Sequence, residues 1–180
     1  ASVINLFLTA KNDSVQNLMV FADEKVKPKI QKINGVGAIN IVGYKDREIK
    51  IYPDIRLLNK YGITVSELNA IVARENVKIG GGKLVTKTKE LILKTKADAL
   101  SVSELKNIVI KDDIRLKDLA KVEDTLSDAK SYASLDGVEG VMLEVQKISG
   151  TNTLDIIERV KASMPELEVM AGDKYGIQLL

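Results

Sequence analysis

Cysteine, histidine and tryptophan are absent from the 180 residues. Without cysteine there is no disulfide and no thiolate nucleophile, although the compartment stays open, because periplasmic proteins often lack cysteine as well. Without histidine the commonest general base and the commonest transition-metal ligand are missing, and with them every Ser-His, Cys-His and zinc-histidine arrangement. The expectation is a non-enzyme with no catalytic residue, no metal site and no cofactor.

Long apolar runs are also lacking. The longest, Val3 to Ala10, is broken by Asn5 and Thr9 and falls far short of the roughly 20 residues that span a bilayer. The start shows no basic stretch followed by an apolar core and cleavage site, and opening on Ala1 suits an excised fragment. Neither sign of charge dominates: 27 basic and 25 acidic residues leave a formal net charge of +2, so no global field draws the chain to nucleic acid or an anionic membrane. Aromatics number only five tyrosines and two phenylalanines, with none between Ala38 and Val42. A sheet that binds RNA stacks bases on such rings, so nucleic acid is not an expected partner.

What is present suffices for a folded core, since 45% of residues are hydrophobic. Ile4 to Thr9 reads as a strand. A helix follows, with Ser14 near its cap and Val15, Leu18, Met19, Ala22, Val26, Ile30 and Ile33 as its apolar stripe. Pro28 interrupts that stripe, so a bend is expected near Lys25 to Pro28. Asn34-Gly35 ends the helix and Ala38 to Val42 follows as a strand. The same order returns near the C-terminus: a strand at Val141 to Val145, a turn and cap at Gly150 to Thr153, and a helix from Leu154 to Met164. Pro165 is expected to stop that helix, and Leu167 to Met170 to close the unit.

Two βαβ units therefore bracket the chain, which predicts an α+β fold of the ferredoxin-like, split-βαβ kind. Between them lies an α+β insert. It begins with the strand Glu48 to Tyr52, then a helical turn at Leu57 to Gly62, then a capping box at Thr64-Val65-Ser66-Glu67 that opens a helix to about Asn76. Gly80-Gly81-Gly82 frees the chain into a glycine-rich hairpin arm. Beyond it come a strand near Leu91 to Lys94, a second capping box at Ser101 to Glu104, a strand at Ile108 to Ile110, a turn at Asp112-Asp113, and a strand from Ile114 to Val122.

Three motifs invite sharper chemistry and decline it. Gly80-Gly81-Gly82-Lys83 lacks the spacing of a phosphate-binding loop, and Leu84 stands where serine or threonine is needed. The basic run Lys83, Lys87, Lys89, Lys94 and Lys96 reads as a solvated face. Asp112-Asp113 and Glu123-Asp124 do not match the spaced ligands of a calcium loop.

Asn-Gly-Val-Gly at Asn34, Gly-Tyr at Gly43, Pro-Asp at Pro53, Leu-Leu-Asn-Lys-Tyr-Gly-Ile-Thr from Leu57, and Gly-Gly-Gly-Lys-Leu from Gly80 recur here in one order. Further on stand Ile114 to Glu123, Leu135-Asp136-Gly137 and Val145 to Leu154. In that order the chain resembles RND-family efflux transporters over nearly all its length, specifically their periplasmic N-terminal porter subdomain with a docking, or funnel, subdomain inserted. The resemblance assigns residues 1–45 and 128–180 to the porter subdomain and 46–127 to the docking insert.

That resemblance implies the periplasmic portion of a proton-driven, homotrimeric inner-membrane exporter of small amphiphilic substrates, working with a periplasmic adaptor and an outer-membrane channel. Gly80, Gly81, Gly82, Lys83, Leu84, Val85, Thr86 and Lys87 would form the intersubunit arm, shorter than in multidrug members. Val3, Asn40, Val42, Ser131 and Ala133 would line the substrate path, and Val3 and Val42 stand where multidrug members favour phenylalanine. Packing on a sheet face is the competing role for all five. The methionines form no metal-export path. The rival from another class is a free-standing ferredoxin-like module that senses a ligand or binds nucleic acid.

Overall fold

The computed structural model describes residues 1–78, 82–94 and 102–180. The chain divides into two compact units, Ala1–Lys45 with Asp128–Leu180, and Asp46–Ser127. Both are mixed α+β with antiparallel sheets.

The first unit opens with strand β1 (Ser2–Ala10), in which Ile4, Leu6 and Leu8 alternate toward a buried face. Ser14 then caps the helical stretch, its hydroxyl accepting from the Asn17 N–H at 3.1 Å. The stretch begins as α1 (Val15–Val20), widens to π-helical winding over Phe21–Val26 and returns to α-helix as α2 (Lys27–Gln31). Where the sequence suggests a bend, the chain changes winding. Pro28 enters at the start of α2, just after the π turn has already displaced the ladder its missing N–H would have joined. Buried Phe21, Ala22, Val26 and Ile30 hold the whole stretch to the core. Strand β2 (Val36–Val42) completes this half.

The second unit takes over with β3 (Arg47–Pro53), α3 (Ile55–Lys60) and α4 (Val65–Lys78). The predicted capping box is formed: Thr64 N–H donates to Glu67 Oε2 at 2.7 Å and Glu67 N–H donates to Thr64 Oγ1 at 3.1 Å. These bonds, from the Thr64 backbone first, hold the Glu67 carboxyl below its ordinary range. Next come β4 (Lys83–Thr86), β5 (Leu91–Lys94), α5 (Val102–Lys106), β6 (Val109–Lys111), β7 (Ile114–Arg115), α6 (Leu116–Leu119) and β8 (Ala120–Leu126). Ser101, and with it half of the second expected capping box, lies outside the described residues. The expected strand from Ile114 to Val122 is split by α6, because Asp118 Oδ2 accepts the Arg115 N–H at 2.8 Å and starts a helical turn that buries Leu116 and Leu119. The sheet runs β4-β5-β3-β8. Its inner residues Ile49, Ile51, Leu91, Leu93 and Val122 pack with Leu58, Leu68, Val72, Leu105 and Leu116. Full burial of such a side chain stabilises by about 1.5–3 kcal/mol.

The first unit resumes with β9 (Ala133–Leu135), β10 (Val138–Lys147), α7 (Thr153–Ala171) and β11 (Tyr175–Leu179). Its sheet runs β11-β1-β10-β2, with β9 paired to β10 alone. Two expectations are corrected here. Pro165 lies inside α7 rather than ending it, and Leu167 to Met170 are helical rather than a strand. The stripe Ile156, Val160, Leu167 and Ala171 continues buried past Pro165, which itself faces solvent. Interior proline costs about 3 kcal/mol, and burial of Leu167 with the turns beyond it offsets that. Val169, 81% exposed, has no place in a sheet. The closing strand lies further on, after the turn at Gly172-Asp173.

Candidate functional site

Strand alternation gives the sheet of the first unit two faces. Ile4, Leu6, Leu8, Ile39, Val141, Leu143 and Val145 fill the buried one. The other carries Phe7 on β1, Met142 and Glu144 on β10, and Asn40 and Val42 on β2, in cross-strand register. Asn40 sits opposite Glu144 and donates from Nδ2 to Oε2 at 2.9 Å. Val42 sits opposite Met142.

One residue beyond Val42 the backbone turns at Gly43, with φ of +82°. The Gly43 N–H donates to Ser131 Oγ at 2.8 Å. A Cβ on Gly43 would stand 2.8 Å from the Gly140 carbonyl oxygen and 3.2 Å from the Ala133 Cβ, and Ala133 is paired with Gly140 across β9 and β10. A second close approach lies alongside: a Cβ on Gly140 would stand 2.2 Å from the Leu8 carbonyl oxygen. Only glycine permits these crossings.

Four of the five residues expected to line a path, Asn40, Val42, Ser131 and Ala133, thus gather where β2 meets the β9–β10 hairpin. Val3 does not join them. It sits in a register irregularity between Ser2 and Ile4, opposite Val145 and Gln146, at the other end of β10. The sequence reading missed Gly140 and Glu144, although the signal was there: Glu144 interrupts the apolar series Val141, Leu143, Val145 on the alternate position. On the other flank of the hairpin a groove of about 300 Å³ is lined by Phe7, Thr9, Leu135, Val138 and Gln178 among others.

Of the expected arm, Gly80 and Gly81 lie outside the described residues. The Gly82 carbonyl accepts from Asn76 Nδ2 at 2.8 Å. Lys83, Leu84, Val85 and Thr86 form β4, an edge strand held to β5, and the Lys87 N–H closes the turn onto the Glu90 carbonyl at 2.8 Å. Among the described residues no cluster of acidic side chains has the geometry to hold a metal ion. Nor, among them, is any helix long and apolar enough to cross a membrane.

The sequence profile of the AcrB/AcrD/AcrF family matches residues 1–179. The chain belongs to the AcrB/AcrD/AcrF family. Relatives within reach of direct comparison include the multidrug resistance protein MdtC of Escherichia coli O9:H4 (strain HS) and of Escherichia coli (strain K12), each 23% identical over 172 residues. The alignment covers 93% of this chain and 17% of each relative, so the chain spans about one sixth of their length. The resemblance to RND-family transporters is thereby established at the level of the family. The free-standing sensing or nucleic-acid-binding module finds no support in these comparisons.

Proposed function

We propose that this chain is the periplasmic porter and docking segment of a proton-driven multidrug exporter of the inner membrane. The family match over residues 1–179 carries the reading. Residues 1–45 and 128–180 would be the porter subdomain, for which the strand order β11-β1-β10-β2, with helices between β1 and β2 and between β10 and β11, supports a ferredoxin-like, split-βαβ description. Residues 46–127 would be the inserted docking subdomain.

In this reading the segment catalyses nothing. Asn40, Val42, Ser131 and Ala133 form one wall of the path for small amphiphilic substrates, and Val3 extends it along β10. The Asn40–Glu144 bond supplies a polar mark on an otherwise apolar wall, the mixture that suits amphiphiles. Shifts of the porter unit open and close the path as a population shift driven by proton movement in membrane helices beyond this segment. The exporter works as a homotrimer with a periplasmic adaptor and an outer-membrane channel, and the stretch from Gly80 to Lys87 contributes to subunit contacts.

The test is expression of the full-length protein carrying this segment in a Gram-negative host stripped of its own exporters. Inhibitory concentrations of amphiphilic dyes and detergents are expected to rise, and a protonophore to abolish dye extrusion. Protein present in the inner membrane with unchanged susceptibility to every amphiphile would overturn the reading.

A further inference from the structure

The second unit holds a cleft of about 220 Å³ between the end of β3, the starts of α3 and α4, and the turn joining β4 to β5. Its wall is mostly apolar, from Pro53, Ile55, Val65 and Leu91. Ile55 is 55% exposed, far more than a side chain that has found its packing partners. A second, shallower depression shares Pro53 and Ile55 with the first and is bounded by Lys117 and Lys121. Ile55 is therefore a ridge between two hollows on one surface.

Two polar features narrow what fits there. Asn69 lines the cleft, and its Oδ1 is shielded from solvent with no hydrogen-bond partner. A shielded carbonyl oxygen left so has lost its water without gaining a bond, a loss that an occupant bringing an N–H donor would recover. The charge left over is positive. Asp54 is taken by Arg56 and Glu90 by Lys87, while Lys89 in the cleft and Lys117 in the neighbouring hollow have no carboxylate partner among the described residues.

We propose that this surface binds an extended acidic peptide segment of a partner protein. An apolar side chain of the peptide seats against Val65 and Leu91 beside Ile55, a donor N–H reaches toward Asn69, and carboxylates flanking the anchor meet Lys89 and Lys117. The recognition mode is an extended chain read by a pocket and a basic rim. It stands on the cleft alone and does not depend on the transport reading.

The test is titration of the ¹⁵N-labelled 180-residue chain with acetyl-Glu-Leu-Glu-Leu-Glu-amide, against the peptide with lysine for each glutamate. Saturable shifts are expected at the backbone amides of Val65, Lys89 and Leu91 and at the Asn69 side-chain amide. Affinity should fall at least fivefold in the exposed double variant Lys89→Glu, Lys117→Glu, and again as salt rises from about 50 to 500 mM. Absence of shifts, or equal binding of the lysine peptide, would overturn the proposal. So would broadening of the same amides with protein concentration and no peptide, which would seat a second copy in the cleft.

Discussion

The phenolic hydroxyl of Tyr175 donates to Asp13 Oδ2 at 2.6 Å, across 162 residues of sequence. Asp13 Oδ1 meanwhile accepts from the Ser14 N–H and from Asn17 Nδ2, each at 2.7 Å. One carboxylate thus fixes the mouth of α1 and ties it to the last strand, where the Tyr175 ring stacks on Phe21 at 4.5 Å between centroids. Tyr175 first, then Asn17 and the Ser14 backbone, hold the Asp13 carboxyl down at about 2 from its ordinary 3.8, while burial, together with this bond, pushes the tyrosine up from 10.0.

A pH dependence follows from those directions. A carboxyl depressed in the folded chain contributes stability that is whole above pH 3.8 and fades as pH falls through about 2. The raised tyrosine contributes below pH 10 and loses its share as pH climbs above that value. Tyr175→Phe should lower the urea midpoint at pH 6, with the gap to the unaltered chain closing between pH 4 and pH 2. A gap that stays constant over that interval would remove the ion–dipole account of this contact.

Gly43→Ala should cost about 1–3 kcal/mol, from a left-handed backbone and a Cβ pressed on the Gly140 carbonyl. Gly140→Ala meets the Leu8 carbonyl oxygen even more closely and should cost as much or more. Gly150→Ala is the comparison: φ is +85° but nothing lies within 4 Å, so only the backbone cost of about 1 kcal/mol applies. Urea unfolding of the three variants decides whether the crossing is as tight as the distances say.

Thr64→Ala removes the hydroxyl that accepts from Glu67 N–H and should destabilise the second unit by about 1 kcal/mol. Hydrogen exchange should quicken in the first turn of α4 and stay unchanged in β1. Equal loss of protection in both would mean that the cap is felt by the whole chain rather than by its own helix.

Much of this architecture was readable from period and punctuation. Apolar patterning located β1, β2, β3, β5 and the middle half of β10, and Thr64 with Glu67 announced α4. The failures have physical causes. Pro165 would stop an isolated helix, whereas Leu167 and Ala171 add enough burial to carry the helix past it. Helix α6 is a single turn made by one aspartate, too short for any periodicity to reveal. Gly172-Asp173 and the alternate positions Tyr175, Ile177 and Leu179 announce the last strand, a signal that competes with the short apolar run from Leu167 to Met170 just before it.

At the site, the sequence named Asn40, Val42, Ser131 and Ala133 through resemblance, and local chemistry could not have joined them. Ser131 meets Gly43 through a bond spanning 88 residues. The pairing of Asn40 with Glu144 spans 104. Register between distant strands sets both, and no local window of sequence carries register.

If the proposed export path is right, Val42→Trp in the full-length protein should change which amphiphiles are exported more than how much protein reaches the membrane. Asn40→Leu, which frees the Glu144 carboxylate, should favour cationic substrates over uncharged ones by less than tenfold, the scale of one exposed polar contact. Dye-extrusion rates for a cationic and a neutral dye, normalised to transporter content, measure both. Identical dye ratios in all three proteins would remove this face from the substrate path.

Strand β1 lies between β10 and β11, both made from the far end of the chain, whereas the second unit is one unbroken stretch from Asp46 to Ser127. A ribosome delivers these pieces in order. The middle of the chain therefore has everything it needs to fold while the opening strand still waits, its edges unpaired, for residues more than 120 positions away. By sequence separation the closing of the first sheet should be the slow and exposed step in making this protein, and substitutions that blunt the free edges of β1 should matter most during synthesis, before they matter to the finished fold.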